Sequence, residues 1–380
     1  MKVVVILPTY NERENIIALL DDLHSATRGV RQHRIEYLIA DDNSPDGTID
    51  VVDGYRRTHA DVHLITGEKQ GLGRALLRGM AYAVKTLGAD ILMQMDADHS
   101  HDPMVLPAFL NAIDGGADFV VGSRYIRGGS IPDNWALHRK IFSIAGNAVV
   151  RYGLGFPDVH DWTGGYRAHR TRFYNALRNE LTKYNGYVFQ IAFLHKAILH
   201  GARVVEVPIR FTDRRFGRSK IAPSEYIRNV LGYVASQRLN SIMTGPFGKF
   251  LVVGTIGFVI NTVVLEGAVA LGFHPTIGSI GGAELAIVSN FILNNAWTFH
   301  ARKITGALTA KKFLQFNATS LGAVVIQASS VGFGTYAFGI ATYRLFYIFG
   351  VAVGLVWNYT MYSRVIWKKP AGSVRRKDRE

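Results

Sequence analysis

The sequence predicts an α/β domain built on a mostly parallel, doubly wound sheet, followed by an all-α domain of four transmembrane helices. Over residues 1–210, short β-branched runs alternate with helix-like stretches, and this alternation predicts the sheet. After residue 245 come four apolar stretches of about 20 residues or more, the length that a membrane-spanning helix needs. We therefore expect one globular unit and one membrane unit.

In the globular unit, the hydrophobic pattern predicts seven elements before residue 96. Strands are expected at Val3–Leu7, Glu36–Ala40, Val62–Thr66 and Ile91–Met95, and helices at Asn11–His24, Ile49–Thr58 and Gly73–Leu87. In such α/β sheets, ligands bind beyond the carboxyl ends of the strands. The loops that follow the strands are therefore where functional residues are expected.

The membrane unit is predicted from four apolar stretches. They cover Phe250–Phe273, Ile277–Phe299, Phe313–Phe338 and Leu345–Trp367. Each can cross ~30 Å of hydrocarbon as a helix. The expected boundaries are a globular domain at 1–222, a joining helix at 223–245, the membrane domain at 246–370 and a basic tail at 371–380.

The joining segment is amphipathic. Its apolar residues recur at helical spacing and are Tyr226, Val230, Leu231, Val234 and Leu239. This pattern predicts a helix that lies in the membrane interface. A surface helix of the globular domain is the alternative interpretation.

Composition supports two unlike parts. The chain has 380 residues and a net charge of +14, yet its mean hydropathy is +0.10. Residues 241–380 hold 13 Lys and Arg against 4 Asp and Glu, whereas residues 1–240 hold 30 against 25. The apolar content excludes a disordered chain, and the lack of cysteine excludes disulfides, thiolate nucleophiles and cysteine-based metal sites.

The positive charges follow the predicted spans. The loop at 272–276 has no Lys or Arg, the loop after the second span holds Arg302, Lys303, Lys311 and Lys312, and the C-terminal tail is basic. By the positive-inside rule, both termini, the middle loop and the globular domain are expected in the cytoplasm. The first apolar run has five residues, which is too short for a signal peptide. The basic excess lies at membrane flanks, so a bilayer is the expected partner and nucleic acid is not.

Acidic or aromatic loops follow three predicted strands. They are Pro8-Thr9-Tyr10-Asn11-Glu12, Asp41-Asp42-Asn43-Ser44-Pro45-Asp46-Gly47 and Asp96-Ala97-Asp98-His99-Ser100. Asp96 and Asp98 can share a hard divalent cation, with diphosphate oxygens and water at the other positions. Asp41 or Asp42 could bind a ribose or base, with Tyr10 packed against the base.

With these loops, residues 1–240 resemble the family 2 glycosyltransferases of the A-type fold, especially the polyprenyl-phosphate (dolichyl-phosphate) mannosyl- and glucosyltransferases. The motifs are PTYNE, DDNSPDGT, GLGRALLRG, MDADHSHDP, GSRY, DWTGGYRAHR and RRFGRSK. The resemblance implies a sugar-nucleotide donor, GDP-mannose or a UDP-sugar such as UDP-glucose, and a polyprenyl or dolichyl phosphate acceptor. It also implies Mg²⁺ or Mn²⁺ as cofactor.

The resemblance assigns roles by position. Nucleotide-sugar binding falls to Pro8, Tyr10, Glu12, Asp41, Asp42, Asp96 and Arg124, and metal binding to Asp96 and Asp98. Ser100 stands where many members have glutamine, so it is only a weak candidate for a third ligand. The residues matched to acceptor phosphate are Arg139, Arg214 and Lys220, and Asp96, Asp98, Arg124 and Arg214 are the candidate catalytic residues.

The acceptor decides the expected mechanism. A phosphate monoester has a second pKa near 6, so it is a nucleophile at neutral pH without a general base. One displacement gives inversion at the anomeric carbon. A sugar hydroxyl acceptor would need a base, for which Asp161 is the candidate; Asp161 could also bind the transferred sugar or organise its loop.

The four-span segment, 246–370, resembles a GtrA-like membrane domain, particularly in the run SNFILNNAWTF at 289–299. This implies anchoring, with association into homo-oligomers left open. The leading hypothesis is mannosyl transfer from GDP-mannose to polyprenyl phosphate. A UDP-sugar transferase is the alternative within the enzyme class, and a translocator of lipid-linked sugars is the alternative from another class.

Overall fold

The computed structural model describes residues 1–213 and 223–368, and the chain divides into two compact units, Met1–Arg238 and Leu239–Glu380. The division falls within a helix that covers Pro223–Thr244. The boundaries at 222 and 245 expected from the sequence stay predictions.

A mixed sheet of seven strands, counted over the described residues, forms the centre of the first unit. The strands are β1 (Lys2–Thr9), β2 (Arg34–Asp41), β3 (Val62–Thr66), β4 (Ile91–Gln94), β5 (Phe119–Ser123), β6 (Arg167–Arg170) and β7 (Val204–Pro208). Their order is β3-β2-β1-β4-β6-β5-β7, with β6 antiparallel to both neighbours and every other pair parallel. The predicted α/β class with a mostly parallel sheet is confirmed.

Helices cover both faces of this sheet. They are α1 (Ile16–Thr27), α2 (Thr48–Tyr55), α3 (Leu72–Lys85), α4 (Leu106–Asp114), α5 (Leu137–Leu154), α6 (Thr171–Leu181) and α7 (Gly186–Leu199). Alternate residues of β1 enter different cores, Val4 and Ile6 on one face and Val5 and Leu7 on the other. Because both faces are buried, β1 reads as a continuous apolar run.

The first helix begins at Ile16, whereas the sequence pattern predicts a start at Asn11. Hydrogen bonds across the sheet edge explain the difference. The backbone N–H of Asn11 donates to Ser44 Oγ (2.9 Å), and that of Glu12 donates to Thr48 Oγ1 (3.0 Å). These bonds tie residues 11–13 to the loop after β2, so the chain turns before it becomes helical.

The joining helix, α8, covers Pro223–Thr244. Val230, Tyr233 and Val234 are buried in the core of the first unit, and Tyr233 Oη is 2.9 Å from His195 Nδ1. Leu231, from the predicted apolar face, is 48% exposed. The part of α8 before Leu239 thus packs as a helix of the globular unit.

The second unit is helical. It contains α9 (Pro246–Ala270), α10 (Pro275–Leu293), α11 (Leu308–Phe338) and α12 (Tyr343–Met361), with π-helical turns at Asn294–Thr298 and Tyr362–Ile366. Among the described residues, α9 is the helix long and apolar enough to cross a membrane. The four predicted spans overlap α9 to α12, and the four-span topology stays a prediction.

The two π-helical turns meet around a shared aromatic cluster. The rings of Phe299 and Trp367 stack with centroids 4.7 Å apart. Asn295 Oδ1 accepts a hydrogen bond from Trp367 Nε1 (3.0 Å), and Arg302 Nη1 donates to the carbonyl of Trp367 (3.0 Å). The asparagine-rich run at 289–299 is thus the segment that ties the end of α10 to the C-terminal turn.

Candidate active site

The loops after β1, β2 and β4 lie at one edge of the sheet, because these strands are parallel neighbours. Thr9 and Asp41 are paired in register, and Thr9 Oγ1 donates to Asp41 Oδ2 at 2.7 Å. The expectation that the three strand-end loops meet at one edge is therefore correct.

Each of these loops contains one residue in the left-handed region. Asn11, Asn43 and His99 have φ values of 59°, 54° and 58°, and they are the non-glycine residues with positive φ in the described part of the chain. Such conformations are uncommon for side-chain-bearing residues and cluster at functional sites. The backbone itself therefore marks this edge as a candidate site.

The loop after β2 is organised by its own carboxylates. Asp41 is fully buried and accepts from the backbone N–H and Oγ of Ser44, both at 2.7 Å. Asp42 Oδ1 accepts from Arg78 Nη2 at 2.7 Å. The sequence did not predict this partner for Asp42, because Arg78 lies 36 residues away on α3.

The loop after β1 holds the other residues matched to nucleotide binding. Pro8 pairs in register with Ala40, and Glu12 Oε2 accepts from Asn15 Nδ2 at 2.8 Å. The ammonium of Lys69 lies 3.5 Å from the centre of the Tyr10 ring. The ring predicted to pack against a base thus already attracts a cation to its face.

Two carboxylates follow β4. Asp98 is 4% exposed, and its Oδ1 accepts from the backbone N–H of Ser100 at 3.1 Å, while Asp96 is half-buried. The backbone N–H of Asp96 donates to His101 Nδ1 at 3.2 Å. Burial lowers the pKa of His101, and the charges of Asp96 and Asp98 only partly oppose this, so the buried ring is neutral at pH 7.

These residues can be tested as a metal site. No group of three or more His, Asp or Glu side chains in the described ranges is arranged to hold a metal. Ser100 Oγ, however, is buried beside Asp98 without a hydrogen-bond partner among the described residues. A hard divalent cation takes oxygen ligands and shares them with substrate phosphates and water. Two carboxylates and a hydroxyl therefore fit Mg²⁺ or Mn²⁺ bound with a diphosphate.

Arg124 and Asp161 form a buried, two-pronged ion pair. Arg124 Nε donates to Asp161 Oδ2 at 2.7 Å and Nη2 to Oδ1 at 2.8 Å, and Nη2 also donates to Thr163 Oγ1 at 2.8 Å. Burial alone would raise the pKa of Asp161, but the Arg124 guanidinium and backbone donors bring it below its ordinary value. Asp161 is thus an ionised residue that organises its loop.

The loop that carries Asp161 reaches the carboxylates after β4. A Cβ on Gly165 would lie 3.1 Å from Asp96 Oδ1, so glycine permits this close approach. The electrostatics agree, since the charges of Asp96, Asp98, Arg124 and Asp161 all act on the pKa of His101. The structure therefore brings two separate motifs together around one buried ring.

A buried arginine that the sequence analysis missed shapes this loop. Arg167 is fully buried and donates to the carbonyls of Gly164 (2.8 Å), Trp162 (2.7 Å) and Gln190. Burial lowers its pKa to about 9, which leaves it charged at pH 7. The signal that could have found it was an arginine two residues after the Gly-Gly pair, within the run DWTGGYRAHR.

The residues matched to acceptor phosphate are only partly described. Arg139 is half-exposed, its guanidinium lies 3.8 Å from the centre of the Trp135 ring, and its Nη1 is 3.5 Å from Asp213 Oδ1. Arg214 and Lys220 lie outside the described residues. Of the three residues matched to acceptor phosphate, the structure thus describes the surroundings of Arg139 only.

Each of the two units matches a family model. Residues 4–183 match the model for glycosyl transferase family 2, and residues 249–367 match the model for the GtrA/DPMS transmembrane domain. These matches define the class, a membrane protein with a family 2 glycosyltransferase domain.

Similar proteins of known activity indicate the family within this class. The dolichol-phosphate mannosyltransferase of Pyrococcus furiosus is 30% identical over 97% of this chain and 99% of that protein. The polyprenol monophosphomannose synthase of Mycolicibacterium smegmatis is 40% identical over 62% of this chain and 86% of that protein. The undecaprenyl-phosphate mannosyltransferase of Micrococcus luteus is 39% identical over 58% and 88%. The chain belongs to the dolichol-phosphate mannosyltransferase family of glycosyltransferases.

Among solved structures, the chain is similar to the mannosyltransferase PcManGT from Pyrobaculum calidifontis in complex with GDP-Man and Mn²⁺. The identity is 18%, the TM-score is 0.40, and the match covers 94% of this chain and 86% of that one. Glucosyl-3-phosphoglycerate synthase from Mycobacterium tuberculosis matches with 18% identity and a TM-score of 0.43, over 63% and 79% of the chains.

Proposed function

We propose that this enzyme transfers mannose from GDP-mannose to a polyprenyl or dolichyl phosphate, with inversion at the anomeric carbon. The names of its relatives support the sugar and the lipid phosphate. The observation that carries the proposal is that the loop of the Arg124–Asp161 pair reaches the carboxylates after β4, since a Cβ on Gly165 would lie 3.1 Å from Asp96 Oδ1. A sugar-nucleotide diphosphate needs both acidic residues for a metal and fixed positive charge.

Roles follow from this arrangement. Asp96 and Asp98, with Ser100, would hold Mg²⁺ or Mn²⁺, which offsets the negative charge of the donor diphosphate. The nucleotide falls to the loops after β1 and β2, through Pro8, Tyr10, Glu12, Asp41 and Asp42. Arg124 stabilises the leaving diphosphate, while Arg139, Arg214 and Lys220 bind the acceptor phosphate.

The chemistry needs no general base. The acceptor is a phosphate monoester, which is mostly deprotonated at neutral pH and attacks the anomeric carbon directly. The enzyme therefore supplies alignment and charge stabilisation. The low pKa of Asp161 and its bonds to Arg124 support a role in holding the loop rather than in accepting a proton.

We also propose four transmembrane helices, with the globular unit and both termini in the cytoplasm. The match to the GtrA/DPMS transmembrane domain and the basic loop at 301–312 support this topology. It brings the lipid acceptor and the soluble donor to the same side of the bilayer.

A transfer assay tests the proposal. Full-length protein in detergent receives labelled GDP-mannose or UDP-glucose, a polyprenyl phosphate, and either Mn²⁺ or EDTA. We expect mannosyl lipid from GDP-mannose alone, with inverted configuration by NMR, loss of transfer in EDTA, and loss of ~10²-fold or more in Asp98→Asn. Asp50→Asn, an exposed aspartate on α2, is the matched control. Transfer from UDP-glucose only, or from neither donor, would refute the donor assignment.

A further inference from the structure

A cavity of about 490 Å³ lies between the loop after β3, helix α3 and helix α6. Arg74, Arg78 and Arg178 line it, together with Glu68 and the apolar side chains Leu77 and Tyr174. None of the residues that line it comes from the loops after β1, β2 and β4. The cavity is therefore distinct from the proposed donor site, although both involve the carboxyl ends of strands.

The charge of this cavity is net positive. Three arginines and Glu68 line it, and the Asp42 carboxylate pairs with one of the arginines, Arg78. Arg74 and Arg178 are exposed, and neither forms an ion pair with a carboxylate in the part of the chain that the structure describes. Arginines that line one cavity repel one another, a bound anion relieves this repulsion, and their planar donors match phosphate oxygens.

Arg78 connects the cavity to the nucleotide loop. Its Nη2 donates to Asp42 Oδ1 (2.7 Å) and to the carbonyl of Asp41 (3.0 Å). Its Nε is buried without an acceptor among the described residues, so the protein leaves this guanidinium incompletely satisfied. The same group thus lines an anion-sized cavity and holds the loop that carries Asp41 and Asp42.

We propose that this cavity binds the diphosphate group of a small anion, and that its occupancy weakens the hold of Arg78 on the loop after β2. Inorganic diphosphate and a nucleoside diphosphate share this chemistry. The volume accommodates a base as well as two phosphates, and Leu77 and Tyr174 offer an apolar wall for it. Arg78 cannot bind the anion and the loop of Asp41 and Asp42 equally well at the same time, so the bound anion lowers the affinity for the donor. This regulatory effect rests on the proposed function.

Calorimetry tests the site independently of transfer. Inorganic diphosphate and GDP are titrated separately, in EDTA, into full-length protein in detergent. We expect saturable binding to wild type and to Asp98→Asn, and roughly tenfold weaker binding to Arg178→Gln, because a charge-assisted bond is lost. Arg57→Gln, an exposed arginine of the same chemistry outside the cavity, is the control and should bind like wild type. A GDP affinity that exceeds the diphosphate affinity and is lowered by Arg178→Gln would identify a nucleotide as the ligand of this cavity, and equal affinities would identify the diphosphate group alone.

The proposal is overturned if neither anion binds up to about 10 mM. It is also overturned if Arg178→Gln binds both anions as tightly as wild type, since the anion would then occupy another site, such as the donor site. The regulatory effect is tested by transfer kinetics at constant free Mn²⁺. Diphosphate should inhibit Arg178→Gln severalfold less than wild type, and equal inhibition of both would refute the coupling. If no transfer is detected at all, the calorimetric result still decides whether the site exists.

Discussion

The guanidinium of Arg124 lies against the carboxylate of Asp161, with Nε 2.7 Å from Oδ2 and Nη2 2.8 Å from Oδ1. The two side chains are 8% and 0% exposed. A buried pair with this two-pronged geometry fixes both partners, because separating them leaves an uncompensated charge. It therefore fixes the position of Arg124 next to the residues after β4.

Arg124→Lys keeps the positive charge but removes the planar group that donates two hydrogen bonds to Asp161. We expect kcat/KM to fall ~10²-fold, because the positive charge is no longer held in place, and the unfolding free energy of the globular unit to fall by about 2 kcal/mol. Steady-state kinetics and hydrogen exchange measure the two effects. Arg127→Lys, an exposed arginine in the same loop, should change neither. Transfer within about threefold of wild type in Arg124→Lys would refute a positioning role for the pair.

Asp161→Asn should lower activity by the same factor at every pH between about 5.5 and 9, because the folded pKa of Asp161 lies below 3.8. Its contribution to stability is present above pH 3.8 and is lost as the pH falls through the lowered folded pKa. The pH profile of kcat/KM for transfer should keep a limb near pH 6 from the acceptor phosphate in both proteins. An acidic limb that disappears only in Asp161→Asn would identify Asp161 as a general base.

Gly165→Ala places a methyl group 3.1 Å from Asp96 Oδ1. We expect Asp96 to shift and kcat/KM to fall roughly tenfold, with more Mn²⁺ needed for half-maximal transfer. Gly54→Ala is the matched control, because a Cβ there meets no atom within 4 Å. An unchanged Mn²⁺ requirement in Gly165→Ala would contradict the contact between this loop and the proposed metal ligands.

His169 makes the sheet sensitive to acid. Burial lowers its pKa from 6.5 to about 3, so the unfolded chain binds a proton between these values and the folded chain does not. Stability therefore falls as the pH drops below 6.5, by up to about 2 kcal/mol from this group at pH 5. Hydrogen exchange in β6, corrected for intrinsic rates, should show a smaller loss in His169→Leu than in wild type, and part of the remaining loss comes from His195, whose pKa burial lowers to about 4. An equal loss in both proteins would exclude His169 as its cause.

The absence of cysteine makes the topology directly testable. A single Lys311→Cys should react with an impermeant maleimide from the cytoplasmic side, and Phe273→Cys from the opposite side, because the proposed topology keeps the basic loop inside. The wild-type chain is the unlabelled control. Labelling of both positions from one side would refute the four-span arrangement.

The seven elements before residue 96 could be predicted from the sequence because they depend on local patterns, whereas β5 to β7 and α4 to α7 were not predicted. β3 at Val62–Thr66 matches its predicted range, and the other predicted strands differ by a few residues at their ends. The three strand-end loops followed from the same periodicity, since neighbouring parallel strands end at one edge. The start of α1 was predicted wrongly, because hydrogen bonds from Asn11 and Glu12 to Ser44 and Thr48 override the local helical preference.

Tertiary structure alone decided which side chains meet. Arg124 and Asp161 are 37 residues apart, and Arg78 and Asp42 are 36 apart, so no local spacing indicates either pair. The contact of Gly165 with Asp96 depends on β6 running antiparallel beside β4. Periodicity specifies which face of an element is buried, whereas a partner is chosen by backbone geometry and by the requirement that buried charges be compensated. The sequence was thus enough to predict the fold class, whereas the pairing of charged side chains in the site became visible only in the tertiary structure.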